Sequence, residues 1–185
     1  EAAAPEVRLI DSTALAKSLK IDVDANLAQL REVAGASISL VVLDLANNRF
    51  GIGVAPAGLL HIATDTTALG QTFLEQASAD ADSWDLNFRK TRGTVASPTV
   101  ITTADELGVI NFLGYSGAGG YVTGAAIKAI SEGTIATTRV PAHLSFWTGT
   151  DATPTVLTEA MRILNSGNVG IGTTGPAKKT EISLD

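Results

Sequence analysis

Hydrophobic and polar residues follow two different periods along this chain. Before about Gly35, the residues Val23, Leu27, Leu30 and Ala34 are spaced four, three and four apart, a single heptad-like stripe. Asp24 stands where an N-cap belongs and Gly35 where a C′ stop belongs, so the spacing predicts a short helix over residues 24–34. A coiled coil takes about three or four heptads. This single stripe is therefore expected to pack on its own domain.

From Ser37 onward the period becomes that of strands. Trp84, Leu86 and Phe88 alternate with Asp85, Asn87 and Arg89, the cleanest half-buried strand pattern in the sequence. Further strands are expected over residues 38–45, 109–113, 125–130, 144–147 and 160–164. Clusters of Gly, Pro, Thr, Ser and Asn separate them. The architecture expected is mainly β, with one short N-terminal helix.

An internal repeat organises the rest. The stretch from Leu45 to Ala57, carrying Gly51-Ile52-Gly53 and Pro56, returns from Leu164 to Ala177 with Gly170-Ile171-Gly172 and Pro176, one residue longer. Each copy then runs on to an isoleucine, Ile62 or Ile182. The copies bracket residues 63–160, which read as an inserted module. In a strand, glycines two apart leave one face without side chains, so another backbone can approach. Gly51, Gly53, Gly170 and Gly172 are thus expected to line a three-fold axis where three chains crowd together. A glycine-rich hairpin without oligomeric meaning would read the same way.

Composition narrows the partners. The chain has 185 residues, 45% hydrophobic but only 5% aromatic, so its apolar content is mostly Ala, Val, Leu and Ile. Thin elements with few large anchors fit this better than one big core. The net charge of -6 and a pI of about 4.8 argue against nucleic acid as a partner. The absence of cysteine removes disulfides and thiolate chemistry. Apolar runs such as Leu40 to Leu43 are far shorter than the roughly 18 residues of a membrane span. Neither membrane insertion nor a signal sequence is expected, and the start at Glu1 reads as either a processing boundary or one chosen for expression.

The second copy, from Met161 to Pro176, closely resembles a segment of bacteriophage and prophage tail-fibre and appendage proteins, where it commonly lies just before an endosialidase-type C-terminal intramolecular chaperone. Residues 89–99 and 107–115 are similar to the module that often precedes it, so the resemblance covers roughly residues 84–182. It implies an elongated, intertwined homotrimeric fibre, a virion structural protein acting in receptor binding at the bacterial surface. Its implied partners are its own copies, other fibre or tail proteins and a surface polysaccharide or protein receptor. The 185 residues themselves carry no segment that resembles that chaperone. The resemblance further implies that Asp185 is the end left when that chaperone cuts itself away.

Other motifs carry less chemistry. Gly114-Tyr115-Ser116-Gly117-Ala118 nearly matches a nucleophile elbow, with Glu132 and His143 following in hydrolase order, but it fails at Ala118 and lacks a strand-to-helix context. Gly117-Ala118-Gly119-Gly120 lacks the Lys-Ser/Thr of a phosphate loop, and neither G-I-G has the third glycine of a dinucleotide fingerprint. His61 and His143 are isolated, so no metal site is expected. Asp22 and Asp24, or Asp80, Asp82 and Asp85, lack the pattern of a calcium loop. The basic group Arg89, Lys90 and Arg92 could meet an anionic sugar, but charge at a strand end more often blocks edge association. Tyr115 and Tyr121, flanking the glycine-rich loop with Ser116, and Trp147 are the candidates for receptor contact, since aromatic rings stack on sugars and keep a polar edge wet. Trp84 and Trp147 sit in strand patterns that more often form core.

The organisation expected is a stalk segment over 1–36, a first connector over 37–62, a β head module over 63–160, and a second connector over 161–185. The chain is read as a tail-fibre adhesion protein without catalytic residues or cofactor. A polysaccharide depolymerase, with paired carboxylates in a groove, is the alternative from another class; a bacterial or prophage adhesin or spacer is the third.

Overall fold

A computed structural model of the chain describes residues 6–10, 18–24, 27–32, 39–64, 72–77, 79 and 81–183, those before Val41 by their backbone alone. The fold is mainly β. The chain divides into two compact units, Glu1–Trp84 and Asp85–Asp185.

The first unit holds a six-stranded sheet whose strands follow chain order: β1 (Glu6–Ile10), β2 (Ser18–Asp24), β3 (Leu27–Glu32), β4 (Ser39–Asp44), β5 (Arg49–Ile52) and β6 (Leu60–Ile62). Successive pairs are antiparallel except the last, β5–β6, which is parallel. The helix expected over 24–34 does not form. Leu27–Glu32 is instead a strand paired to β2 and β4. The signal that wins is Leu19, Ile21 and Val23 alternating with Lys20, Asp22 and Asp24. That period of two builds β2, and β3 follows it as the second arm of a hairpin.

The second unit repeats the plan. A short hairpin, β7 (Arg92–Gly93) with β8 (Pro98–Thr99), precedes six strands in chain order: β9 (Glu106–Tyr115), β10 (Tyr121–Ser131), β11 (Ala142–Gly149), β12 (Leu157–Ile163), β13 (Val169–Ile171) and β14 (Thr180–Ile182). Again only the last pair, β13–β14, is parallel. Both G-I-G connectors therefore close a sheet, and the unit boundaries differ from the four segments read in the sequence. The first connector belongs with β1 to β4 and the second with β9 to β12.

The strand expected at 84–89 does not form, since these residues make no ladder pair. Its alternation is real, but a strand also needs hydrogen-bonding neighbours. Phe88 packs instead against β9, where a side chain added at Gly108 would meet the Phe88 Cβ at 2.8 Å.

Little of the described part of either unit is core. Among the described residues the buried hydrophobic side chains are Val42, Ile101 and Ala126. The buried polar residues among those described are Ser131, His143 and Ser145, all in the second unit. The Ser131 hydroxyl donates to the Thr102 carbonyl at 2.7 Å and accepts from the Asp105 amide at 3.0 Å. The cost of burying it is met by pinning the segment before β9 to the end of β10.

Candidate functional site

The tip of the β9–β10 hairpin gathers three of the four receptor-contact candidates. Tyr115 and Tyr121 are register partners at the last rung, their rings edge to face with centroids 5.4 Å apart and planes at 66°. They are 70% and 74% exposed. The chain turns back through a single 3-10 turn at Gly117–Gly119. Ser116 fastens this turn, because its amide and its hydroxyl both donate to the Gly120 carbonyl, at 2.8 and 3.1 Å. Two aromatic faces thus stand at the end of a ladder that fixes their spacing.

A second loop reaches the same end of the sheet. The β11–β12 loop is closed by the Thr150 amide donating to the Val156 carbonyl at 2.9 Å. Ala152, Thr153, Pro154 and Thr155 from this loop and Ser116 and Val122 from the hairpin line a cleft of about 400 Å³. Its walls carry hydroxyl and apolar groups but no charge. Sequence reasoning missed these residues, since the neighbourhood of two loops depends on the order of β10, β11 and β12, which no local motif encodes.

Trp147 is not brought to the tip. It lies mid-sheet opposite Ala126 and Glu159, its indole N–H donating to Ser145 Oγ at 2.8 Å. The Lys128 ammonium sits 4.9 Å from its ring centre, a cation–π contact. Trp147 here serves the sheet.

The hydrolase-like order of Ser116, Glu132 and His143 is half assembled. His143 Nδ1 lies 3.1 Å from Glu132 Oε2, yet His143 pairs with Ile130 at the far end of β10 from Tyr121. At about 3.3 Å per strand residue the two ends are about 30 Å apart. Ser116 and His143 form no dyad.

The basic group is partly committed. Arg92 makes a two-point ion pair with Asp105, Nε to Oδ2 at 2.8 Å and Nη2 to Oδ1 at 2.7 Å. The hydrogen bond from Arg92, joined by one from the Thr102 amide, holds the Asp105 carboxyl well below the usual carboxylate range. Arg89 and Lys90 line a separate surface groove with Val95 and Pro98. Among the described residues no three His, Asp or Glu side chains gather as metal ligands. Asp80 and Asp185, and the side chains of Asp22 and Asp24, lie outside what the structure describes.

The connector glycines have a reason within their own chain. A Cβ at Gly51 would overlap the Val54 carbonyl oxygen and one at Gly170 the Thr173 carbonyl oxygen, with Pro56 or Pro176 closing in behind. Gly53 and Gly172 have φ of +75° and +70°, the left-handed region that favours glycine. The backbone that approaches the bare strand face is the turn to the next parallel strand. The G-I-G spacing is thereby explained without a three-fold axis.

Compared with known proteins, no protein-family model matches the chain, and no curated protein matches it either.

Proposed function

We propose that this chain is a structural and host-attachment segment of a bacteriophage tail fibre, working as an elongated homotrimer in the virion. The observation that carries the reading is the connector that closes both sheets in the same way. Its second copy includes the segment from Met161 to Pro176 that resembles phage appendage proteins, and the described part of each sheet has little core of its own. A chain whose described residues bury so few large hydrophobic side chains is better stabilised in an assembly.

Receptor contact is assigned to the β9–β10 tip, through Tyr115 and Tyr121 and the uncharged cleft beside them. Exposed aromatic faces with hydroxyl-bearing walls suit the mixed apolar and polar surface of a neutral sugar. Two measurements test the reading. Light scattering should give about three times 19.0 kDa. The purified protein should bind cells of a susceptible host more than an unrelated fibre does. A monodisperse monomer that binds no host cells would refute it.

A further inference from the structure

Register places six residues of each sheet in one row. In the first sheet the row is Val7, Ile21, Leu30, Val41, Ile52 and Ile62. In the second it is Ile110, Ile127, Phe146, Met161, Ile171 and Ile182. Cross-strand partners share a face of the sheet, so each sheet carries an unbroken apolar row from its first strand to its last. The row one residue along behaves otherwise. It reads Glu6, Asp22, Gln29, Val42, Gly51 and His61 in the first sheet, and Val109, Lys128, Ser145, Arg162, Gly170 and Glu181 in the second. There the two sheets differ in polarity and in sign of charge.

Two copies of one plan within a single chain thus agree in the apolar row and diverge beside it. Burial within the unit is incomplete along the described part of both rows. Ile52 and Ile171 are each 40% exposed, and Ile62 and Ile182 are 50% and 58% exposed. None of the six residues in the second row is buried.

We propose that the two apolar rows are the contact surface between copies of this chain. This rests on the assembly reading above and names the surface that performs it. A second copy is the occupant the observations favour, for two reasons. It carries the same two rows, so each row has an apolar row of equal length to meet on a copy of its own unit. Each copy also bears a net charge of -6. Chains of like charge meet at least cost where neither side presents a charge, as along these rows.

The test uses the whole chain. Ile52→Glu with Ile171→Glu places one carboxylate in each row, at positions that are already part-exposed. The expected result is loss of the oligomer to a monomer in light scattering, with the far-UV β signature retained. In case the double variant fails to fold, a second arm uses the absence of native cysteine. Ile171→Cys should give an inter-chain disulfide on mild oxidation, while Val95→Cys, at a 98% exposed site on the β7–β8 turn, should not. An oligomer that survives the double substitution and an Ile171→Cys variant that stays uncrosslinked would overturn this surface and leave the assembly reading standing. A wild-type monomer at tens of micromolar would overturn both.

Discussion

His61 and Glu181 occupy the same place in two different sheets, and each accepts a hydrogen bond from the backbone amide four residues before it. The Ala57 amide donates to His61 Nδ1 at 3.3 Å, and the Ala177 amide donates to Glu181 Oε2 at 2.9 Å. Each bond closes the loop that returns the chain into a parallel edge strand, just after Pro56 or Pro176. The position needs an acceptor and does not care which one. His61→Glu should therefore leave thermal stability within about 0.5 kcal/mol of wild type, whereas His61→Ala should cost about 0.5–1.5 kcal/mol, the usual net worth of one such bond. Circular dichroism melts of the two variants separate these outcomes, and equal losses would show that the ring's packing matters rather than its acceptor.

The connector glycines should fail within the chain. Gly170→Val drives a branched side chain into the Thr173 carbonyl, and overpacking of this kind costs about 1–3 kcal/mol. Gly172→Ala forces a side chain into a positive φ, at about 1–2 kcal/mol. Both losses should appear in a denaturant melt at a protein concentration low enough to leave only monomer. A defect seen only in the assembled state would return these glycines to an axial role.

This bears on what the sequence could disclose. Local backbone demands were legible. Strict requirements at Gly51 and Gly170 leave a literal motif, which is why the two connectors stand out while the rest of the duplicated units does not. The apolar rows demand only apolarity, and Ile110, Ile127 and Phe146 align with one another through register alone. Strands β4 and β9 to β12 followed from alternation and turn residues. Around Leu27 the four-three-four spacing mimicked a helix because it was read without the alternation of Leu19, Ile21 and Val23 before it. At the tip, Tyr115 and Tyr121 were visible as flanks of a glycine turn, but the facing Thr153, Pro154 and Thr155 were not.

Asp105 sets an acid-side dependence. Its folded carboxyl is held below the ordinary range by Arg92, so between that lowered value and the unfolded value of about 3.9 the unfolded chain binds more protons. The stability it contributes is complete above about pH 4 and is lost as pH falls toward the folded value. Melting temperatures of wild type and Asp105→Asn measured from pH 7 to pH 2 should differ most at neutral pH and converge in acid. A constant difference across the range would show that the ion pair contributes nothing.

Tyr115 and Tyr121 should be separable from folding. Replacing both by Ala removes an exposed cross-strand pair worth about 0.2–1 kcal/mol, a small change for the second sheet. Binding to host cells should fall at least tenfold while light scattering stays unchanged. Binding that persists at wild-type strength would move the receptor contact away from this tip.

The two histidines should hold opposite tautomers. At His61, Nδ1 accepts from the Ala57 amide, so the neutral ring carries its proton on Nε2. At His143, Nδ1 faces Glu132 Oε2 at 3.1 Å, and an ionised carboxylate can only accept, so the proton is on Nδ1. The other oxygen of Glu132 accepts from the Asn165 amide at 2.7 Å, which ties the end of β10 to the β12–β13 turn. His143 Nε2 is then a buried lone pair with no partner among the described residues. Glu132→Gln should reverse the ring. Its carbonyl must stay on the Asn165 amide, so its NH2 faces Nδ1 and drives the proton to Nε2, where the buried N–H finds no acceptor and about 1–3 kcal/mol is lost. Because the chain has only two histidines, nitrogen-15 shifts at about pH 9, where free imidazole is neutral, report both rings in one spectrum. One Nε2–H and one Nδ1–H ring are expected in wild type, and two Nε2–H rings in Glu132→Gln. A wild-type spectrum with both protons on Nε2 would overturn the donor assigned to His143.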